Sequence, residues 1–270
     1  MAGKMILTFL GTGTSTGVPQ LRCGCPTCTS SDPHDRRLRA SAMLETEGKR
    51  ILIDCGPDFR EQMLRHGRRC KDDRIDILLL THQHYDHVGG IDDLRPYCYR
   101  DGEQYPFPVY CQADVARDLR ERLPYSFSEK PYPGAPRFDL REVSAYEPFT
   151  AAGVEITPLH VNHYLLDILG FRIGNLGYIT DAKHVPQATI DALRGVDTLV
   201  INALRRRTHV SHLTLDEALE IVGRISPARA YLTHISHDMG LSSEVSRILP
   251  SGVSLAYDGL KITIPADMSR

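Results

Sequence analysis

Short apolar runs, punctuated by glycine, proline and polar clusters, recur along the whole chain and predict strands interleaved with helices. Met5 to Leu10 reads as a first strand running into Gly11-Thr12-Gly13-Thr14-Ser15-Thr16-Gly17-Val18-Pro19, where the glycines permit tight turning. Ala40 to Glu45 and Arg50 to Asp54 predict two strands around a turn at Thr46 to Lys49, and Phe59 to His66 predicts a helix. Ile75 to Leu80 is a buried-strand pattern ending at Thr81. That end point places the following His-rich segment on a loop at the carboxyl end of a strand, where open α/β structures build sites.

Val88 to Tyr97 fits a short helix, Pro108 to Cys111 a strand and Ala113 to Leu123 a helix. Pro124 to Pro136 carries four prolines and reads as an irregular excursion or lid. Phe138 to Val143 and Val154 to Pro158 are strand patterns leading to His160-Val161-Asn162-His163. Leu169 to Ile173 and Gly177 to Thr180 lead likewise to Asp181. Pro186 to Leu193 is a helix pattern, Thr198 to Asn202 a strand, Leu215 to Ile225 a helix, and Arg229 to Thr233 a strand ending at His234. Leu241 to Leu249 and Leu255 to Pro265 supply a last helix and closing strands. With no repeat, charge run or Gly/Ser linker to divide it, residues 1–270 read as one α/β domain.

Composition narrows the function classes. A chain of 270 residues with 41% apolar content can bury an ordinary core, and its formal charge of -2 gives no global attraction for nucleic acid or an acidic membrane. Nowhere do 18 apolar residues run together, and the first residues lack the pattern of a signal peptide, so a cytoplasmic protein is expected. Seven cysteines are too sparse for a disulfide scaffold, yet three fall in Cys23-Gly24-Cys25-Pro26-Thr27-Cys28.

The histidines are clustered too. His82-x-His84-x-Asp86-His87 packs four potential ligands into six residues, and imidazole with carboxylate suits Zn, Mn or Fe. His163, Asp181 and His234 each stand at the expected end of a strand. The cysteine group needs a fourth ligand to close a tetrahedral zinc site, and His237, three residues beyond His234, is the candidate. The glycine-rich turn matches neither GxGxxG nor GxxxxGK[ST], so a phosphate loop is a weak reading. Cys55, Cys70, Cys98 and Cys111 have no comparable spacing.

With Thr81-His82-Gln83-His84-Tyr85-Asp86-His87 in place, the chain resembles the metallo-β-lactamase superfamily from its first strand almost to its C-terminus. The resemblance implies an α/β (α+β) fold, an αββα four-layer sandwich with the site along one edge of two sheets. It also implies a ligand set: His82, His84 and His163 on one metal, Asp86, His87 and His234 on another, and Asp181 bridging them. Asp86 could additionally orient a nucleophile. All seven positions are His or Asp, a set that leaves Mn and Zn both open.

Gly11-Thr12-Gly13 with Gly17-Val18-Pro19, then CxCxxC, THxHxDH and THxSH, is similar to the phosphoribosyl cyclic phosphodiesterase family of the carbon-phosphorus lyase pathway. That likeness implies a structural zinc on Cys23, Cys25, Cys28 and His237 in an excursion at about residues 20–35, and a catalytic, non-ligand His212. It further implies two catalytic divalent metals, often Mn²⁺, and opening of 5-phospho-ribosyl 1,2-cyclic phosphate to ribose 1,5-bisphosphate. A small cyclic phosphate sugar or nucleotide is the expected partner; a membrane is not, nucleic acid is disfavoured by charge, and a homodimer is left open.

His209 is the alternative to His212, and Arg205-Arg206-Arg207 is either a solvated turn or a contact for a terminal phosphate. Rivals within the superfamily include lactamases, disfavoured by Asp181 where many use cysteine. Thioester hydrolases, flavodiiron oxygen reductases, tRNA 3′-end nucleases and a pyrroloquinoline-quinone biosynthesis protein complete that set. A non-catalytic module stabilised by metal is the remaining class.

Overall fold

The computed structural model describes residues 4–67, 70, 73–100, 102–130 and 132–265. In chain order, β1 (Met5–Gly11) precedes a long irregular stretch and a short 3-10 helix at Pro33–Asp35, then β2 (Ser41–Thr46), β3 (Lys49–Ile53) and α1 (Phe59–His66). Next come β4 (Ile77–Leu79), α2 (Tyr85–Val88), a 3-10 helix at Ile91–Cys98, and a small hairpin of β5 (Tyr99–Arg100) and β6 (Glu103–Gln104). β7 (Phe107–Cys111), α3 (Ala113–Arg122), α4 (Pro124–Phe127), β8 (Phe138–Glu142) and β9 (Phe149–Ala151) follow. β10 (Val154–His163), β11 (Leu166–Ile173), β12 (Leu176–Tyr178), α5 (Gln187–Ala192) and β13 (Thr198–Asn202) build the next part. The described chain closes with α6 (Leu215–Ile225), β14 (Arg229–Thr233), a 3-10 turn at His237–Met239, α7 (Ser242–Val245), β15 (Val253–Leu255) and β16 (Lys261–Ile264).

These strands form two seven-stranded sheets, ordered β16-β1-β2-β3-β4-β7-β8 and β15-β14-β13-β12-β11-β10-β9. Strand alternation explains the layering. On β1, β3 and β4, Leu7, Phe9, Ile51, Ile53, Ile77 and Leu79 point into the space between the sheets, where they meet Ile156, Leu169, Phe171, Tyr178 and Val200. Their neighbours Leu10, Leu52 and Leu78 point to the opposite face, toward Phe59 on α1 and Val115 and Leu119 on α3. Ile168, Leu199 and Ile201 do the same for the second sheet, packing on Ile190 of α5 and Ala218 and Ile221 of α6. Strands covered on both faces need continuous apolar runs, which is how the sequence reads. The result is the expected αββα sandwich. Among the described residues, no helix is long and apolar enough to cross a membrane.

Differences from the sequence pattern have local causes. β10 continues past Pro158 to His163, because β9 stops pairing at Ile156 and leaves Pro158 on an edge where its missing N–H costs nothing. The helix expected over Val88 to Tyr97 is a 3-10 turn with Pro96 inside, a residue that cannot donate to an α-helical ladder. The helix expected from Leu241 to Leu249 is α-helical only at Ser242–Val245, in a segment rich in serines that compete with the helix backbone. Pro124 to Pro136 contributes one short helix, α4, followed by turns; residue 131 lies outside the described residues.

Candidate metal centre

Parallel pairing decides where the site lies. β3, β4 and β7 run parallel, as do β12, β13 and β14, so their carboxyl ends collect along one edge of the sandwich. β4 delivers His82 and, through α2, His84, Asp86 and His87; β10 delivers His163, β12 Asp181 and β14 His234. Asp54, Asp181 and His234 leave their strands with φ of +59°, +56° and +55°. These left-handed residues turn sharply off the sheet, a conformation that costs free energy outside glycine and concentrates at functional sites.

The side chains converge as two groups whose ligand atoms lie within 4.8 Å of one another: His82, His84 and His163, and Asp86, His87, Asp181 and His234. His82 Nε2 and His84 Nδ1 are 2.9 Å apart. His87 Nε2 lies 3.1 Å from Asp181 Oδ2 and 3.2 Å from Asp86 Oδ2, and His234 Nε2 lies 3.0 Å from Asp181 Oδ1. Two donors on one tetrahedral cation, each at about 2.1 Å, stand roughly 3.4 Å apart, so this spacing fits divalent cations. Among the described residues, His87 Nε2 and His234 Nδ1 are buried with no well-aligned hydrogen-bond partner, a cost that ligation of His87 would remove at its atom.

Charge in the cluster is polarised. Burial alone would lower His87 and His234, but the Asp181 and Asp86 carboxylates outweigh it, raising His87 well above its ordinary value and His234 to about 9. Burial would likewise raise Asp86 and Asp181; the facing imidazolium groups hold both far below the carboxylate range. Burial and the other histidines push His82 well down and His84 down, leaving them neutral donors.

The histidines are aimed from behind. His87 Nδ1 is 2.7 Å from Asp54 Oδ2, His82 Nδ1 is 3.0 Å from Thr81 Oγ1, and His163 Nδ1 donates to the Ser211 carbonyl at 2.8 Å. Each of these bonds turns the ring so that Nε2 enters the cluster. Asp54 also accepts from the Thr81 backbone N–H, and Asn202 clamps Ala182 beside Asp181 through two backbone bonds. Sequence reasoning missed Asp54, Thr81 and Asn202 as site residues. Asp54 had a usable signal, an acid at the end of the apolar run Ile51-Leu52-Ile53, the same placement that singled out Asp181.

His212 joins this site from the loop before α6. Its ring lies 4.7 Å from His163 and 4.9 Å from His234, and Nδ1 is 3.5 Å from Asp181 Oδ1. Burial pushes it down to about 3, so it is a neutral imidazole at pH 7. It lies close enough to His163 and Asp181 to count among the possible ligand groups as well. His209 sits one step out, 5.1 Å from the His212 ring, with Nδ1 taken by Ser211. Of the arginine run, Arg205 and Arg207 both donate to Asp238, while Arg206 is exposed.

The cysteines and His237 form a separate group within the same 4.8 Å limit. Cys23 and Cys25 Sγ stand 3.4 and 3.3 Å from His237 Nδ1. The His237 contact lowers Cys25 to about 6, whereas burial raises Cys28 to about 11. Three sulfurs and one imidazole, with no further donor among the described residues, suit a closed tetrahedral zinc site. Burial pushes Cys55 well up, Cys98 to about 11 and Cys111 to about 12, which makes them inert packing thiols.

Comparison with known proteins places this geometry. The profile of the beta-lactamase superfamily domain matches residues 49–235. A crystal structure of a diphosphatase from the PhnP family is 39% identical, with a TM-score of 0.88 over 98% of this chain and 99% of that one. Zinc-bound PqqB from Methylobacterium extorquens shares the fold, at 19% identity and a TM-score of 0.78 over 95% of this chain and 99% of its own. An octanoyltransferase of Porphyromonas gingivalis is 44% identical over 258 residues, 95% of this chain. The chain spans about half the length of that relative, 51%.

Proposed function

The chain belongs to the metallo-β-lactamase superfamily, in its PhnP family, and on that premise we propose that it is a dinuclear-metal-dependent phosphoric diester hydrolase opening a small cyclic phosphodiester. The observation that carries this reading is the pair of adjoining donor groups, with Asp181 in the second and also within 4.8 Å reach of His163 from the first, and with His212 packed on His163 and His234. In this reading His82, His84 and His163 hold one divalent cation, Asp86, His87 and His234 the second, and Asp181 bridges them. Cys23, Cys25, Cys28 and His237 hold a structural zinc. Bound there, Mn²⁺ or Zn²⁺ supplies Lewis acidity that lowers the pKa of water and neutralises phosphoryl oxygens.

The protein's own groups do the rest. Asp54, Thr81 and the Ser211 carbonyl hold three imidazoles in their ligating orientation. Asp86, with its carboxyl ionised, accepts a hydrogen bond from the attacking water and orients it. His212, neutral in the free site, takes up a proton from solvent once the negative charge of the phosphodiester lies against it. As the imidazolium it donates to a phosphoryl oxygen and passes that proton to the ribose oxygen as the ester bond breaks, returning to the neutral form. Arg206, not engaged by Asp238, is the residue of the run left for a terminal phosphate.

Two small substrates suit these groups: 5-phospho-ribosyl 1,2-cyclic phosphate, giving ribose 1,5-bisphosphate, and a nucleoside 2′,3′-cyclic phosphate. The diphosphatase at 39% identity favours a second reading, cleavage of a diphosphate linkage, which uses the same metals and needs less help from His212 because phosphate is a better leaving group. The name of the octanoyltransferase does not transfer, since about half of that protein lies outside the match. One Mn²⁺-supplemented assay of both cyclic substrates, a nucleoside diphosphate, a linear dinucleotide, a tRNA precursor and an octanoyl thioester tests the proposal. The expected result is the highest kcat/KM on a cyclic substrate; preference for the tRNA precursor or the thioester overturns it.

A further inference from the structure

The loop that carries His212 has little regular structure of its own. Its base is closed by the Arg205–Thr214 bridge and by Leu204 N–H donating to the Leu213 carbonyl at 2.9 Å. Between those ends, the Arg205 guanidinium folds back over the loop, with Nε donating to the Arg207 carbonyl at 3.2 Å and Nη2 to the Thr208 carbonyl at 3.0 Å. The far side of the loop supplies the Ser211 carbonyl to His163 and packs His212 on His163 and His234. Wherever Arg205 goes, the carbonyls it caps follow.

Arg205 is in turn anchored from outside the loop. Asp238 Oδ2 accepts from Arg205 Nη1 and from Arg207 Nη2, both at 3.3 Å. Asp238 is the residue after His237, whose Nδ1 faces the Cys23 and Cys25 sulfurs. Ser236 fastens the same turn: its Oγ accepts from Asp238 N–H and donates to the Leu204 carbonyl, at the base of the loop. An unbroken series of contacts therefore runs from the Cys₃His group through Asp238 and Arg205 to the loop that presents His212.

We propose that Asp238 is a positioning residue, through which the Cys₃His site fixes the His212 loop against the catalytic edge. With His237 as the fourth ligand of that site, a bound zinc would immobilise the 237–239 turn, which sets the Asp238 carboxylate where both arginines reach it. An isolated, part-exposed ion pair contributes little to stability. Here its role is geometric, since it selects one loop arrangement, and small displacements of a catalytic group cost rate steeply. The inference rests on the hydrolase reading only for its kinetic arm.

The test uses the fully metal-loaded protein and three variants: Asp238→Asn, Asp238→Glu and Cys28→Ser. Metal content by mass spectrometry, trypsin cleavage after Arg206 and Arg207, and kcat and KM on the best cyclic substrate are read together. Asp238→Asn is expected to keep every metal, to speed cleavage at the loop by roughly tenfold, and to lower kcat on the order of ten- to hundredfold with KM little changed. Asp238→Glu restores most of both. Cys28→Ser loses one metal and opens the same loop, and the double variant Cys28→Ser/Asp238→Asn is no worse than the more affected single, as expected of two steps on one path. Unchanged cleavage and kcat in Asp238→Asn overturns the proposal, as do losses that multiply in the double variant. Should Cys28→Ser fail to fold, Asp238→Asn alone decides. A loop that opens as expected in a protein that hydrolyses no phosphodiester leaves the clamp standing and removes the functional reading instead.

Discussion

Four donors of the His/Asp cluster, His82, His163, Asp181 and His234, stand at or just after strand ends and the other three on or beside α2, all of them buried except His84; the three cysteines of the other cluster ride half-buried on the irregular stretch between β1 and β2. In the first cluster the fold has already set the geometry. Strand ends fix the backbone, and Asp54, Thr81 and the Ser211 carbonyl fix the rings. In the second, the neighbouring backbone offers Sγ of Cys28 and Cys25 two long N–H contacts, at 3.3 and 3.5 Å, and the distant His237 faces Cys25 at 3.3 Å. In the proposed reading, a metal entering the first cluster meets donors whose rings are already oriented, as a catalytic site requires, whereas a metal entering the second would itself organise the half-buried cysteine loop.

This contrast can be broken at several points. The largest effect belongs to Asp181→Ala, which removes the carboxylate proposed to bridge the two metals. Loss of both exchangeable metals with the Cys₃His metal retained, and a fall in kcat/KM of at least about a thousandfold, is expected from metal analysis and steady-state kinetics. His212→Ala should lower turnover by on the order of a hundredfold or more while all metals stay bound; metal release would instead make His212 a ligand. Asp54→Asn keeps the shape but weakens the hold on His87, and a ten- to hundredfold loss of metal affinity or activity, roughly the cost of disturbing such outer partners, is expected in competition titrations.

The cysteine side of the comparison predicts effects on stability. Zinc at about a thousand times its dissociation constant should raise the unfolding free energy by about 4 kcal/mol, and Cys28→Ser should abolish that increment in chemical denaturation. The smallest effect sharpens the electrostatics. His237 lowers Cys25 to about 6, so its thiolate, and with it the alkylation rate of metal-free protein, should rise with pH through about 6 and level off above it. Cys98 and Cys111, raised by burial to about 11 and 12, should stay unreactive over the same range, and zinc should protect Cys25.

Much of this was legible in the sequence, because the informative signals are local. His82 to His87 is a six-residue cassette, Cys23 to Cys28 another, and α1, α6, β13 and β14 have the bounds their apolar periodicity predicts. α6 even carries its own start signal, Thr214 and Glu217 exchanging side-chain and backbone bonds in a capping box. What failed to show was set by distant partners. Asp54 is one acid among 34 acidic residues until β3 and β4 pair in parallel and bring it under His87. The extension of β10 to His163 depends on where β9 stops.

By itself, then, the sequence determined the types of the candidate donors, the strand-end placement that lets them gather, and the family to which the chain belongs. Residue chemistry and short-range periodicity survive in one dimension. Only the tertiary structure decided that Asp54 and the Ser211 carbonyl hold the His87 and His163 rings, that Asp181 gathers with Asp86, His87 and His234, and that Asp238 accepts from Arg205 and Arg207 beside the loop bearing His212. Those facts are distances between residues tens of positions apart, and they come into existence only when burial of the apolar faces between the two sheets brings the strand ends to one edge.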